Sequence, residues 1–261
     1  MTAATLSAIP YWSFPLLFVT GLIAGFVDSI AGGGGLITVP VLFCFNIPRQ
    51  IALGTNKLQA SFGSGSAAWH YSAAKIVSPR ECIRGAFFTV VGAVAGTRCV
   101  QALPDELLRR LIPLLLLVIA AYMILRPAFG EKEARAVMPA AWFDVLAGLG
   151  LGFYDGFLGP GTGSFWVVAL ILCRGFNLTK ATGWTKVMNF ASNATSLAVF
   201  AIANQVCYLP GLVMGVGQLL GARAGSRLVA ARGVKFIRPI FLTMVLALVL
   251  KLLYDAFSGA H

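Results

Sequence analysis

The sequence predicts an all-α polytopic membrane protein made of two inverted-topology repeats. Three observations predict it: composition, a duplicated set of motifs, and the placement of basic residues. Hydrophobic residues make up 58% of the chain and charged ones 11%, with a mean hydropathy of +0.84, against about 25% charged residues in an average soluble domain. So few charges do not cover a water-exposed surface. Residues 111–125, 146–158 and 240–253 carry little or no charge, and a helix that crosses a bilayer needs about 20 mostly apolar residues. Backbone groups in hydrocarbon must be satisfied within the protein, which leaves helices or a closed barrel. The alternating apolar and polar strands of a barrel are absent from the sequence.

The formal charge of +11 does not indicate nucleic acid, because Lys and Arg stand at the ends of apolar runs rather than in one basic stretch. The segment 1–10 has no Lys or Arg, so the first apolar run lacks the positive flank of a secretory signal and reads as the first span. Five cysteines (Cys44, Cys82, Cys99, Cys173 and Cys207) are scattered without a CxxC pair, which points to core residues rather than a metal site or a disulfide framework. His70, between Trp69 and Tyr71, reads as part of an interfacial aromatic belt.

The chain repeats itself. Gly21-Leu-Ile-Ala-Gly25-Phe26-Val27-Asp28 is matched by Gly148-Leu-Gly-Leu-Gly152-Phe153-Tyr154-Asp155. Each copy enters a glycine-rich break, Gly32, Gly33, Gly34 and Gly35 in one and Gly159-Pro160-Gly161-Thr162-Gly163 in the other. A short apolar segment follows each break, then Phe45-Asn46 against Phe176-Asn177, then Gly54-Thr55-Asn56-Lys57 against Gly183-Trp184-Thr185-Lys186. Gly92-xxx-Gly96-Thr97-Arg98 recurs as Gly217-xxx-Gly221-Ala222-Arg223, and Leu111-Ile112-Pro113 echoes Ile237-Arg238-Pro239. One membrane domain therefore fills 1–261, with repeat one at about 14–126, repeat two at about 141–255, and a cytoplasmic linker at about 127–140.

This paired pattern, with the downstream lysine, resembles the sulfite exporter TauE/SafE family, also called the 4-toluene sulfonate uptake permease family, over about residues 14–255. The resemblance implies movement of small sulfur-containing oxyanions, organosulfonates or organic acids across a bacterial inner membrane. Its motifs are distributed and glycine-based, so they identify the family better than the substrate.

Loop charge decides how the repeats are related. If the short segments cross, each half has five segments and the halves are inverted; if they do not, each has four spans and the halves are parallel. The five-plus-five arrangement, about eight full transmembrane helices with two short broken or re-entrant segments, puts Lys75, Arg80, Arg84, Arg126, Lys132, Arg135, Arg174, Lys180, Arg223, Arg227, Arg232, Lys235 and Arg238 on one side. The other side keeps Arg49, Arg98, Arg109 and Arg110, with Lys251 near its edge. The loop 75–84 is basic, whereas its repeat counterpart 203–208 is uncharged. Inversion, with both termini outside, satisfies the positive-inside rule.

Irregular backbone at membrane depth belongs where it lines a cavity, and transporters place their sites at such breaks in paired repeats. The candidate substrate-binding residues are therefore Gly32, Gly33, Gly34, Gly35, Gly159, Gly161, Thr162 and Gly163, whose backbone N–H groups at restarting helix ends suit an anion. Lys57 and Lys186 are intramembrane cations at matched positions, and Asn56 and Asn189 lie on the same helices as neutral donors. Against this stand two plainer readings, glycines that serve close helix packing and lysines that snorkel to the interface. Asp28 and Asp155, just before the breaks, are assigned a coupling or structural role. Neither a cofactor nor a metal is expected; the partners are a small anionic solute and the lipid bilayer. An enzyme is disfavoured, because the sequence offers no HExxH and no GxSxG. A passive anion channel is the alternative to alternating access.

Overall fold

The protein is described by a computed structural model that covers residues 10–45, 47–125 and 133–232. It is all helical over these residues. After a 3₁₀ turn at Tyr11–Ser13 come α1 (Phe14–Ala31), α2 (Gly35–Phe43), α3 (Arg49–Ala73), α4 (Pro79–Ala102) and α5 (Asp105–Leu125). The second half supplies α6 (Ala140–Phe157), α7 (Thr162–Arg174), α8 (Leu178–Ile202) and α9 (Tyr208–Arg232). The expected last helix, over 237–253, and the stretch 126–132 of the expected linker lie outside the described residues.

The duplication seen in the sequence is present in the backbone. α3 and α8 are both 25 residues long. Each ends in the same turn: Lys75 and Asn204 both have φ of 56°. In that turn the N–H groups of Ala74, Lys75 and Ile76 reach back to His70, Ser72 and Tyr71, as those of Ala203, Asn204 and Gln205 reach Val199, Ala201 and Phe200. α2 and α7, with 9 and 13 residues, are about 14 and 20 Å long, short of the roughly 30 Å hydrocarbon core. Both begin directly after a glycine-rich break, and α2 also contains Pro40.

Packing joins each half to the other more than to itself. Gly21 and Gly25 of α1 meet the backbone of Met214 and Gln218, and Gly217, Gly221 and Gly225 of α9 meet α1 around Phe18, Leu22 and Phe26. The repeat-equivalent pair does the same: Gly148, Gly152 and Gly156 of α6 lie on α4 at Phe88, Thr89 and Ala93, while Gly92 and Gly96 face Leu149 and Phe153. Small residues let these backbones approach without a Cβ between them, the close packing that replaces hydrophobic drive in lipid. For these glycines the packing reading holds.

Contact order also gives direction. Numbers rise together along α1 and α9, and along α3 and α9, where Gly211 meets Leu58, Gly215 meets Phe62 and Gly63 meets Gln218. They rise together along α4 and α6, and along α4 and α8, where Thr89 reaches Met188 and Gln101 reaches Val199. α3 and α8 run opposite ways, since Gly54 meets Phe200, Gly65 meets Phe190 and Tyr71 meets Gly183. Thus α1, α3 and α9 share one direction and α4, α6 and α8 the other.

Among the described residues, two helices meet the length and hydropathy expected of a span by composition, Tyr11–Ile30 and Pro79–Ala102. α3 and α8 fall short because their buried faces carry Thr, Asn, Gln, Ser and Lys. The cysteines divide: Cys82 and Cys207 are buried, whereas Cys44 and Cys99 are exposed, so the core assignment fails for those two. Trp69 is exposed, but Tyr71 is fully buried and donates to the Ser29 carbonyl, so the belt reading around His70 does not extend to Tyr71.

Candidate functional site

The two glycine breaks meet each other. α1 stops at Gly32, whose φ of 76° is the left-handed conformation that glycine adopts without a Cβ penalty. There the backbone of Gly32 lies against that of Gly163, so closely that a Cβ on Gly32 would stand 2.5–2.7 Å from Gly163 and Ser164. Gly35 packs on Pro160 in the same way. The N-terminal ends of α2 and α7, with the positive partial charge of helix starts, therefore converge there, while the N–H groups of Leu36, Ile37, Thr162 and Ser164 are already taken by the carbonyls of Gly33, Gly34, Gly159 and Gly161.

A small cavity of about 30 Å³ lies there, enough for about one water-sized group. Its wall includes Gly32, Gly35, Gly159, Gly161, Thr162 and Gly163 from the breaks. Asp28, Asn56, Lys57, Asp155 and Asn189 complete the predicted part of the lining. Gly33, Gly34 and Lys186 stand outside the wall itself. Gly34 donates its N–H to Asp28 Oδ1 at 3.2 Å, and Lys186 lies behind Asp28.

The lysines do not snorkel. Lys57 is 1% exposed and Lys186 fully buried, which is tolerable only with an ionic partner. Each finds that partner in the other half. Lys57 donates to Asp155 Oδ1 at 2.7 Å, to the Asp155 backbone carbonyl, and to Asn193 Oδ1 at 3.2 Å. Lys186 donates to Asp28 Oδ2 at 3.1 Å and to the Asp28 backbone carbonyl. Two crossed ion pairs thus tie the helix carrying each lysine to the helix end before the opposite break.

Neutral polar groups fill in between. Asn56 Oδ1 accepts from Thr38 Oγ1 at 2.5 Å and from Gln59 Nε2 at 2.8 Å, which leaves its amide N–H groups as the donors toward the cavity. Asn189 and Gln218, 5% and 1% exposed, each line the cavity with a side-chain oxygen that has no partner among the described residues. Ser192 Oγ donates to Asp155 Oδ2. Among the described residues no group of three or more His, Cys, Asp or Glu stands together to hold a metal.

Sequence reasoning left Gln218 and Ser192 aside. The signal for both was available: a polar residue inside an apolar helix is costly unless it faces a cavity or a partner.

Known proteins share this sequence over nearly its whole length. The family model described as Sulfite exporter TauE/SafE matches residues 17–252. A probable membrane transporter protein, ORF9, of Sinorhizobium sp is 43% identical over 240 residues, 92% of each chain. The probable membrane transporter protein YfcA of Escherichia coli K12 is 43% identical over 241 residues, 92% of this chain and 90% of its own. That of Haemophilus influenzae is 39% identical over 240 residues, 92% and 94% of the two chains. No solved structure matches. With a matching family model across nearly its whole length and these relatives, the chain is a membrane protein that belongs to the sulfite exporter TauE/SafE family.

Proposed function

We propose that this protein is a multi-pass transporter of the bacterial inner membrane that carries small anions by alternating access. Sulfur oxyanions, organosulfonates and small organic acids are the substrate class. The reading rests on one observation above others: the starts of α2 and α7 converge on a small cavity that is bounded by crossed ion pairs. Helix starts favour negative charge, and paired broken helices are where transporters of inverted design hold their solute. The family description and the relatives' names point the same way.

The site, in this reading, comprises the glycine breaks with Asn56, Lys57, Lys186 and Asn189, and Asp28 and Asp155 are its coupling or structural acids. The opposed directions of α3 and α8, and the agreement of α1 with α3, support two inverted repeats of five segments, 14–126 and 141–255, joined by a cytoplasmic linker. Rocking of one half against the other about the Gly32–Gly163 contact would then open the cavity to either side. A cavity of about 30 Å³ is smaller than a sulfonate, which suits a closed carrier better than a passive channel.

The test is flux into proteoliposomes of purified protein, against sulfite, methanesulfonate, 4-toluenesulfonate, sulfate and acetate. A carrier gives saturable uptake of at least one anion, and the same anion inside the vesicle accelerates it. Unsaturable flux without that acceleration identifies a channel, and no flux for any of the panel sinks the anion reading.

A further inference from the structure

The fixed charges at the cavity, two lysines and two aspartates, cancel. An anion that enters adds a charge to a buried site, and the helix ends offset only part of that cost. The two ion pairs differ in how they can respond. Lys57 has three ammonium protons and meets three acceptors, while Asp155 receives Lys57 on one oxygen and Ser192 on the other. That pair is saturated and its side chains are 2% and 4% exposed. Lys186 meets two acceptors, both on Asp28, whose other oxygen receives, among the described residues, the Gly34 N–H alone. Asp28 is also the more open carboxylate, 15% exposed at the cavity wall.

The charged and titratable groups around Asp28, among the described residues, are few. α8 contributes Lys186, α3 contributes Lys57 across the cavity and Tyr71, which donates to the neighbouring Ser29 carbonyl at 3.3 Å, and α6 contributes Asp155. α2 offers the Gly34 amide, α7 offers Thr162 and Gly163, and α9 offers the neutral Gln218, its arginines Arg223 and Arg227 being exposed.

We propose that the anion enters together with one proton, and that Asp28 carries that proton. A proton from water bonds to the Asp28 carboxylate and ends its ion pair with Lys186. The Lys186 ammonium, behind the wall and still on the Asp28 backbone carbonyl, is then balanced by the anion across the neutral acid, so one negative charge replaces another near it and the site stays neutral. On the far side both leave, and the pair re-forms. This deepens the anion-transport reading and rests on it. Asp155, held on both oxygens, stays paired with Lys57 and fixes it.

The probe is methanesulfonate, which stays ionised over the working pH range, so any proton that moves rides on the protein. Binding to detergent-solubilised protein is measured between pH 5.5 and 8, and proton uptake on binding is read directly with a pH indicator in weak buffer. The wild type should take up one proton per anion, and its apparent Kd should tighten about tenfold for each unit that pH falls while the free site is ionised. Asp28→Asn mimics the protonated acid and should bind at pH 8 at least tenfold more tightly than wild type, with an affinity that no longer follows pH. Asp28→Glu should restore the dependence. Wild-type binding without proton uptake overturns the proposal, as does an Asp28→Asn variant that binds more weakly at pH 8 or keeps the wild-type slope. The indicator measurement on wild type stands even if that variant does not fold. Loss of binding and flux for every anion tried in the wild type fails the transport reading itself; binding with no proton fails only this proposal.

Discussion

The two halves of the site have the same frame and different furniture. Both supply a break, a lysine and an aspartate at matched positions, and these engage across the halves in the same way. Yet the second half adds Asn189, Ser192 and Asn193 on α8, where α3 has Ala60, Gly63 and Ser64 at the equivalent positions. The consequence is visible in bonding: the Asp155 carboxylate gains Ser192, and Lys57 gains Asn193, while their counterparts gain neither. Shared features belong to the scaffold that must work in both orientations, and unshared ones let one half hold while the other changes.

The sharpest break of this comparison is topological. Ala74 and Ala203 occupy the same place in equivalent turns, both exposed and with ordinary φ of −75° and −82°. With the five native cysteines removed, cysteines introduced there should react with a membrane-impermeant thiol reagent from opposite faces, all or none. Labelling of both from one face ends the inverted reading.

A second contrast lies between the lysines. Lys57→Met strands a buried, otherwise satisfied carboxylate and should lower stability by about 3–5 kcal/mol, read as a drop in the thermal midpoint in detergent; adding Asp155→Asn should recover most of it. Lys186→Met should cost less stability and weaken anion affinity more. Equal losses in both would mean that the pairs do not divide their roles.

The breaks give the smallest and finest test. Gly161 has φ of 82°, so Gly161→Val combines β-branching with backbone strain of about 1–3 kcal/mol and should lose both folded protein and flux. Gly34 has an ordinary φ of −55°, and a Cβ there meets Asp28 Cβ at 2.8 Å. Gly34→Val should therefore disturb Asp28 and lower flux, with a milder effect on stability. A milder outcome for Gly161→Val than for Gly34→Val would reverse the comparison.

Helix content, the duplicated motifs and the break-plus-lysine site were legible in the sequence, because glycine at a break and charge within an apolar run are both costly unless used. The crossing of the ion pairs was not. Asp28 and Lys57 sit in one repeat and their pairing was equally open there; only the packing of α1 on α9 and α3 against α8 sends each to the other half. Nor did hydropathy reveal α3 and α8 as core helices, since their polar faces are buried against the site rather than in lipid.

Crossed pairing also sets a schedule for assembly. Lys57 is made 98 residues before Asp155, and Asp28 is made 158 residues before Lys186. At about 5–20 residues per second, each early charge waits roughly 5–30 s for its partner. For that interval the nascent first half holds an uncompensated ammonium and carboxylate on helices whose glycine faces have nothing yet to pack against. Insertion of this chain must therefore tolerate a half-made bundle, and the release of the finished protein into lipid is timed by its last third rather than by its first.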